Sequence, residues 1–451
     1  MRYAFVFDQH RCTGCHACRL ACTIDNALPL TTSWRSVYTF NAAHHPGLPL
    51  FHLSLACNHC ARPACLEACP AAAYARDPQT GAILLDETKC LGCRYCSWAC
   101  PYDAPVFDAS RGVMTKCTFC VDRLRQGMQP ACAAYCPTGA LRVATQDEPD
   151  LTVAAPGMPD RGLGPAVRIE QWRGPGHTAS AHGAAAPERQ GTLARPKITL
   201  ASEWSLAAFT MIAAILLAAF AGAARGALAL HPAAFAGVAA AGMLLSAAHL
   251  GRKERAWRAV LNLRTSWLSR EVAAFSLFAG VGTLFLWLWP DSGWLGATAT
   301  AVGALALLSA DRVYAFALRA DGGLPHSASV LLTGVLLAAV FAGDALLAGV
   351  LATIVVLLYL ERKRRFVRKG LSVRPVLTGV RLLAGIVLPA LLWLGERGVS
   401  DPLLAAVVLG AAIDRAEFYD EIDIMTPQRH LAETEATQVA LARRSREGVA
   451  A

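Results

Sequence analysis

Two regimes of hydrophobic patterning divide the chain. Up to about residue 145, apolar positions come in short runs broken by glycines, prolines and polar residues. Such runs predict short strands and turns rather than long helices. The strand-like segments, by β-branched and apolar content, are Arg2–Phe7, Phe51–Leu55, Ala82–Leu85 and Ala140–Val143. Gly14, Gly81, Gly92 and Gly139 mark tight backbone. From Trp204 onward the pattern changes to Ala/Leu/Val/Gly runs of roughly the 20 residues that cross a bilayer. Eight such runs are counted: 204–224, 232–250, 271–289, 294–311, 327–343, 344–360, 376–395 and 401–418. Polar residues at helical spacing are too scarce there for a soluble helical core. Trp287, Trp289, Trp294 and Trp393 lie near run ends, where an aromatic belt is expected.

Between the two regimes, residues 146–200 are rich in Pro, Gly and Asp and poor in large apolar residues. That composition predicts a flexible tether, with His177 and His182 incidental in it. Beyond the last run, 421–451 is a charged tail in which Leu431–Arg444 suits either a helix or a frayed end.

Composition sharpens this division. Of 451 residues, 55% are hydrophobic and 17% charged, too apolar for an ordinary soluble protein. The net charge of +9 does not point to nucleic acid, because Lys and Arg cluster between apolar runs. One basic loop holds Arg252, Lys253, Arg255, Arg258, Arg264 and Arg270. A second holds Arg362, Lys363, Arg364, Arg365, Arg368, Lys369 and Arg374. The opposite loops carry Arg225, Asp291, Asp344, Glu396, Arg397 and Asp401. With eight helices, both chain ends fall on the basic side, which the positive-inside rule puts in the cytoplasm. No export signal is visible in Met1–Asp8.

All sixteen cysteines lie between Cys12 and Cys136, in four groups of four. The first is Cys12, Cys15, Cys18, Cys22 and the third is Cys90, Cys93, Cys96, Cys100; both have the C-x2-C-x2-C-x3-C spacing of iron–sulfur ligands. The second (Cys57, Cys60, Cys65, Cys69) and fourth (Cys117, Cys120, Cys132, Cys136) keep the outer spacings and insert residues between them. Disulfides require an oxidising compartment. Zinc explains a C-x2-C pair but neither the third and fourth cysteines nor the prolines after Cys69, Cys100 and Cys136. Cys12-Thr-Gly-Cys15-His16 matches a c-type haem site, yet that reading leaves Cys18 and Cys22 without a role. Sixteen thiolates in this order fit four [4Fe–4S] clusters.

The runs Cys12–Cys22, Cys57-Asn-His-Cys60-Ala-Arg-Pro63, Cys90–Tyr102 and Lys116–Thr138 resemble the four-cluster electron-transfer subunit of molybdopterin oxidoreductases, over about residues 1–145. The resemblance implies that groups one and four share two clusters: Cys12, Cys15, Cys18 with Cys136, and Cys117, Cys120, Cys132 with Cys22. Groups two and three would share the others: Cys57, Cys60, Cys65 with Cys100, and Cys90, Cys93, Cys96 with Cys69. Some relatives hold a [3Fe–4S] cluster where Trp replaces a third-group cysteine; here Cys93 is present. Arg11, Lys89 and Lys116 each precede a group's first cysteine, either raising a cluster's potential or solvating the surface.

In the membrane region, His249 ends the second run and Glu271 opens the third. Oxidising a quinol releases protons and electrons, and His and Glu are suitable proton acceptors. The plainer alternative is a helix-end His and a Glu paired with Arg270. His249-Leu-Gly, Ser266-Trp-Leu-Ser-Arg-Glu271 and Asp414-Arg-Ala-Glu-Phe-Tyr419 resemble the membrane anchor of dimethyl sulfoxide reductase, whose matching His and Glu contribute to menaquinol binding. Arg270, Tyr314 and Arg312 are weaker candidates. No haem b is expected, because His231, His249 and His326 all lie near run ends. Buried acids crossing the bilayer, which ion translocation would need, are not evident in the runs.

The sequence therefore predicts an α+β ferredoxin-like domain (1–145), a linker (146–200), an all-α polytopic membrane domain with a quinone site (201–420) and a tail (421–451). The expected cofactors are four [4Fe–4S] clusters and menaquinone or ubiquinone, and the expected partner is a molybdopterin catalytic subunit. Similar modules serve sulfite-oxidising enzymes that reduce quinone. A membrane-docked ferredoxin without quinone chemistry is the rival of another class. Sidedness also has an alternative, because export can follow a twin-arginine signal on the catalytic partner.

Overall fold

The structure is a computed structural model describing residues 3–145, 158, 161–171, 197–315, 326–368, 374–396, 400–422, 424 and 426–447. The chain forms two units, Met1–Arg195 with Ile424–Ala451, and Pro196–Asp423.

The first unit is built from four small sheets and short helices. Strand β1 (Tyr3–Asp8) is central: Ala4, Phe5, Val6 and Phe7 are all buried, as expected of a strand covered on both faces. The chain continues through α1 (Ala17–Asp25), the hairpin β2–β3 (Ser36–Phe40 and Phe51–Leu55) and α2 (Ala64–Ala68). Next come β4–β5 (Tyr74–Arg76 and Ile83–Leu85), α3 (Tyr95–Ala99) and β6–β7 (Val106–Asp108 and Val113–Thr115). Helices α4 (Val121–Arg125) and α5 (Ala131–Ala134) lead to β8 (Leu141–Thr145).

β8 pairs antiparallel with β1, with Phe5 opposite Val143. The other edge of β1 takes β9 (Val167–Glu170) in parallel, with Phe5 opposite Val167. This corrects the expectation of a tether throughout 146–200. Val167-Arg-Ile-Glu170 alternates buried and half-buried residues, a two-residue period that the Pro- and Gly-rich surroundings concealed. The remainder of that stretch, with His177 and His182, lies outside the described residues.

The C-terminal segment also belongs to this unit. Helix Pro427–Glu447 inserts Leu431 against the stacked rings of Phe40 and Phe51. Its Glu435 carboxylate accepts the Asn41 backbone N–H at 3.0 Å.

In the second unit all eight apolar runs fold as helices: α6 (Leu200–Ala223), α7 (Pro232–Ala248), α8 (Trp267–Leu288), α9 (Gly293–Val313), α10 (Val330–Phe341), α11 (Ala345–Arg368), α12 (Pro375–Gly395) and α13 (Asp401–Glu421). Among the described residues, five of these are long and apolar enough to cross a membrane. They become six if α7 and the 3-10 segment Lys253–Val260, which meet at 108°, count as one span. The count of eight is therefore met only in part. With 12 residues, α10 is roughly 18 Å long against a hydrocarbon core of about 30 Å. The last two turns of α13 carry Asp414, Arg415, Glu417, Asp420 and Glu421.

α6 is the central helix, 72% buried, and its Phe209 and Phe220 pack with Phe235, Phe275, Phe278 and Phe285 of the neighbouring helices. Outward-facing Leu346 and Leu394 are 80% and 76% exposed, which suits contact with lipid. Trp287, Trp289 and Trp294 stand exposed around the α8–α9 turn, as interfacial tryptophans do. Where α12 crosses α13 the backbones touch: a Cβ added to Gly410 would overlap the Gly385 backbone.

Candidate functional site

The cysteine groups adopt one repeated backbone device. The third residue of each C-x-x-C is left-handed: Gly14 (φ 68°), His59 (41°), Gly92 (71°) and Phe119 (62°). This turn folds backbone N–H groups onto sulfur. Gly92 N–H donates to Cys90 Sγ and Phe119 N–H to Cys117 Sγ, each at 3.3 Å. Glycine adopts that conformation freely. His59 and Phe119 are held in it by stacking on each other, with ring centroids 4.7 Å apart and planes 9° apart. The spacing motif gave no sign of this pair.

The sulfurs regroup across the sequence. Cys12, Cys15 and Cys18 line one cavity with Cys136. Cys57, Cys60 and Cys65 line another with Cys100. Cys22 lies within electrostatic reach of Cys132 and Cys120, and Cys117 within reach of Cys22 and Cys132. The Asn26 amide donates toward both Cys22 Sγ (3.8 Å) and Cys120 Sγ (3.9 Å). Cys69, Cys90, Cys93 and Cys96 form the fourth gathering. Cys18 and Cys22, four residues apart on α1, fall in different sets, the exchange that the resemblance implies.

All sixteen thiols are free of disulfides. Burial, then the proximity of Cys132, pushes the Cys22 thiol up to about 12. Burial and then Cys69 push Cys93 up to about 12. Cys60, Cys65, Cys96 and Cys117 are driven upward in the same way. Burial and mutual repulsion thus favour the neutral thiols while nothing cationic is bound between them. Four sulfurs line each of two cavities, which fits a cluster of iron and sulfide.

The three basic residues that precede cysteine groups separate clearly. Arg11 is exposed, and Lys89 is exposed and paired with Asp86 at 2.8 Å. Lys116 is buried, its Nζ donating to the carbonyls of Ile83 and Cys117. His16 is exposed. The buried His59 accepts the Ile83 N–H on Nδ1 at 3.0 Å, and burial followed by nearby Lys116 lowers its pKa well below the usual range, leaving it neutral. Arg35, which no motif singled out, is fully buried and donates to the Ser54 carbonyl (3.3 Å) and hydroxyl (3.1 Å).

In the second unit, Glu271 is buried in the first turns of α8, within electrostatic reach of Arg415 and Asp311. Tyr314, at the end of α9, shares a 2.6 Å hydrogen bond with the Tyr419 hydroxyl. Arg415 lies over the rings of Tyr314, Phe418 and Tyr419 at 4.9–5.2 Å and donates to Thr210 Oγ1 at 3.2 Å. The structure thus brings Glu271 and Tyr314 together around Arg415. His249 closes the C-terminal end of α7, and α7 packs beside α8. Arg270 is engaged elsewhere: it donates to the carbonyls of Leu263 (2.9 Å) and Arg264 (2.7 Å) and covers the Trp267 ring at 4.3 Å. Arg312 flanks the same ring at 5.8 Å.

A second polar cluster gathers where α11, α12 and α13 pack together. Arg362 pairs with Asp414 (2.8 Å) and Glu417 (3.3 Å), Lys363 with Glu417 (2.9 Å) and Arg381 with Asp414 (3.4 Å). Tyr359 donates to Glu417 at 2.8 Å. In sequence Arg362 and Lys363 read as loop charges, whereas Arg381, Asp414 and Glu417 lie within the last two apolar runs; packing of α11, α12 and α13 brings them together.

Comparison with known proteins agrees with both units. Residues 49–146 match the 4Fe-4S dicluster domain family, and residues 198–315 match the DMSO reductase anchor subunit family. A component chain of the anaerobic dimethyl sulfoxide reductase of Haemophilus influenzae is 40% identical over 156 residues, covering 33% of this chain and 76% of that one. Its Escherichia coli counterpart is 39% identical over 168 residues, 34% of this chain and 82% of that one. A sulfite dehydrogenase subunit of Allochromatium vinosum is 36% identical over 172 residues, 34% of this chain and 72% of that one. With a matching iron–sulfur unit and a matching anchor unit in one polypeptide, this chain belongs to the family of iron–sulfur and membrane-anchor subunits of dimethyl sulfoxide reductase-type complexes.

Proposed function

We propose that this chain passes electrons between membrane quinone and a separate molybdopterin catalytic subunit through four [4Fe–4S] clusters. The observation that carries the reading is the regrouping of sixteen cysteines into four sets of four, on a chain whose second unit matches an anchor family. Each set would hold one cluster, which supplies one-electron oxidation and reduction when bound. The chain's own residues hold the sulfurs apart, donate N–H groups to them and exclude water from their surroundings.

At the membrane, His249 and Glu271 would exchange the protons of the quinone, with Tyr314 at its edge and Arg415 balancing charge near Glu271. Arg270, with loop carbonyls as partners, would hold the loop beside the site rather than touch quinone. We place the basic segment around Lys253–Val260 and the end of α11 at the cytoplasmic face, with eight membrane-embedded helices. A sulfite-oxidising role, with quinone as acceptor, is the second reading, supported by the similarity to a sulfite dehydrogenase subunit.

The test is iron content followed by turnover. The purified, reconstituted chain should hold about sixteen iron atoms. His249→Ala and Glu271→Ala should abolish quinone-coupled oxidation or reduction of the clusters while leaving their spectra intact. Full turnover in both variants rejects the quinone site, and a much lower iron content rejects the four-cluster assignment.

A further inference from the structure

Electrostatic reach between cysteines links the sulfur sets one to the next. Cys18 of the Cys12 set neighbours Cys22. Cys117 of the Cys22 set neighbours Cys57. Cys65 of the Cys57 set neighbours Cys96 of the Cys69 set. The order is therefore the Cys12 set, the Cys22 set, the Cys57 set and the Cys69 set.

One buried polar side chain stands at each junction. Arg35, 1% exposed, lies among Cys18 of the first set and Cys132, Cys117 and Cys22 of the second. Lys116, 3% exposed, lies within reach of Cys117 in the second set and Cys65 in the third, and it lines the cavity of the third. Tyr74 lies between Cys65 in the third set and Cys96 and Cys69 in the fourth. Two junctions hold a full positive charge and the last holds a neutral phenol.

Neither cation has a carboxylate partner among the described residues. Arg35 donates to the Ser54 oxygens, covers the face of Phe5 4.6 Å away and lies within hydrogen-bonding reach of Cys132. Lys116 meets only two backbone carbonyls. A buried charge without a counter-ion is strongly unfavourable. The groups that can offset it here are the thiolate sets on either side.

We infer that Arg35 and Lys116 set the order of electron affinity along the line, making the cluster of Cys22, Cys117, Cys120 and Cys132, flanked by both cations, the most readily reduced of the four. An added electron makes a cluster more negative by one charge. A neighbouring cation in a water-poor interior stabilises that reduced form more than the oxidised one. The Cys69 set, beside Tyr74, receives neither cation. The inference rests on the reading that each set holds one cluster.

The test is a potentiometric titration of the full chain in membranes, read by electron paramagnetic resonance, with iron and sulfide assayed in parallel. Signals are assigned with Cys120→Ser for the second set and Cys93→Ser for the fourth. In the unaltered chain the second set should have the highest potential. Lys116→Met should lower the second and third sets by at least a tenfold change in the one-electron equilibrium, about 59 mV. Arg35→Met should lower the first and second similarly. Lys116→Arg and Arg35→Lys should keep the original values, and the fourth set should not move in any variant. A fourth-set potential above the second in the unaltered chain overturns the inference even if a variant fails to assemble. So does a shift that is absent or equal in all four sets. Fewer than four clusters in the unaltered chain would instead defeat the underlying cluster assignment.

Discussion

Replacing Phe119 by alanine tests whether the His59–Phe119 stack holds the cysteine turns in shape. Phe119 is fully buried, 4.7 Å from the His59 ring and 4.5 Å from the Phe5 ring. Truncating a buried phenylalanine costs about 3–5 kcal/mol. Alanine keeps the left-handed φ of 62° and therefore its strain, so nothing offsets the loss. Phe119→Gly loses the same ring but is released from a strain of roughly 1–2 kcal/mol, so it should be the less damaged variant. Because domains are stable by only about 5–15 kcal/mol, Phe119→Ala should lose its clusters at much lower urea. The measurement is visible absorbance of the purified full chain against urea, with His59→Ala and the double variant completing a cycle. The stacked pair should show a coupling of about 0.5–1.5 kcal/mol. An alanine variant within about 1 kcal/mol of the parent, or a glycine variant worse than the alanine, would refute the reasoning.

Four further outcomes are expected. Gly14→Ala combines a φ of 68° with a Cβ only 2.6 Å from the His52 ring, so assembly at the Cys12 set should fall, read as the loss of one cluster's iron. Gly410→Ala forces α12 and α13 apart and should cost about 1–3 kcal/mol in a thermal melt in lipid, whereas Gly395→Ala, with open space around it, should not. Glu417→Leu removes a buried acceptor from Lys363, Arg362 and Tyr359, leaving Asp414 and Glu421 to balance the two cations, and should destabilise the second unit by about 1–3 kcal/mol, also read by melting. The Ser110 hydroxyl and Arg111 hold Asp108 at about 2, below its ordinary 3.8. The β6–β7 turn should therefore be fully stabilised above about pH 4 and lose that contribution as pH falls toward 2. Faster amide exchange at Ser110 and Arg111 would show the loss, and Asp108→Asn should remove its pH dependence.

Much of the molecule is legible in the residue order because its strongest constraints are local. Strand-like segments became β1, β3, β5 and β8, and each apolar run became a helix. The strand Val167–Glu170 was hidden because four alternating residues are too few to outweigh a disordered-looking composition; its partner β1 lies more than 150 residues earlier. In the membrane unit, Glu271 and Tyr314 could be singled out by residue type and position. Arg415 as their common neighbour could not, because α8, α9 and α13 meet only through packing.

Taken alone, the sequence determined the chemistry: sixteen thiols at iron–sulfur spacings, followed by apolar runs long enough for lipid. Spacing is a property of the chain, and so is hydropathy. The tertiary structure decided which charges matter. Arg11, Lys89 and Lys116 are equivalent in sequence, each one residue before a cysteine group. Folding leaves two of them in solvent and buries the third between two sulfur sets, where Arg35, from a loop with no motif, occupies the preceding junction. Water screens the exposed pair, and burial removes that screening from the other two.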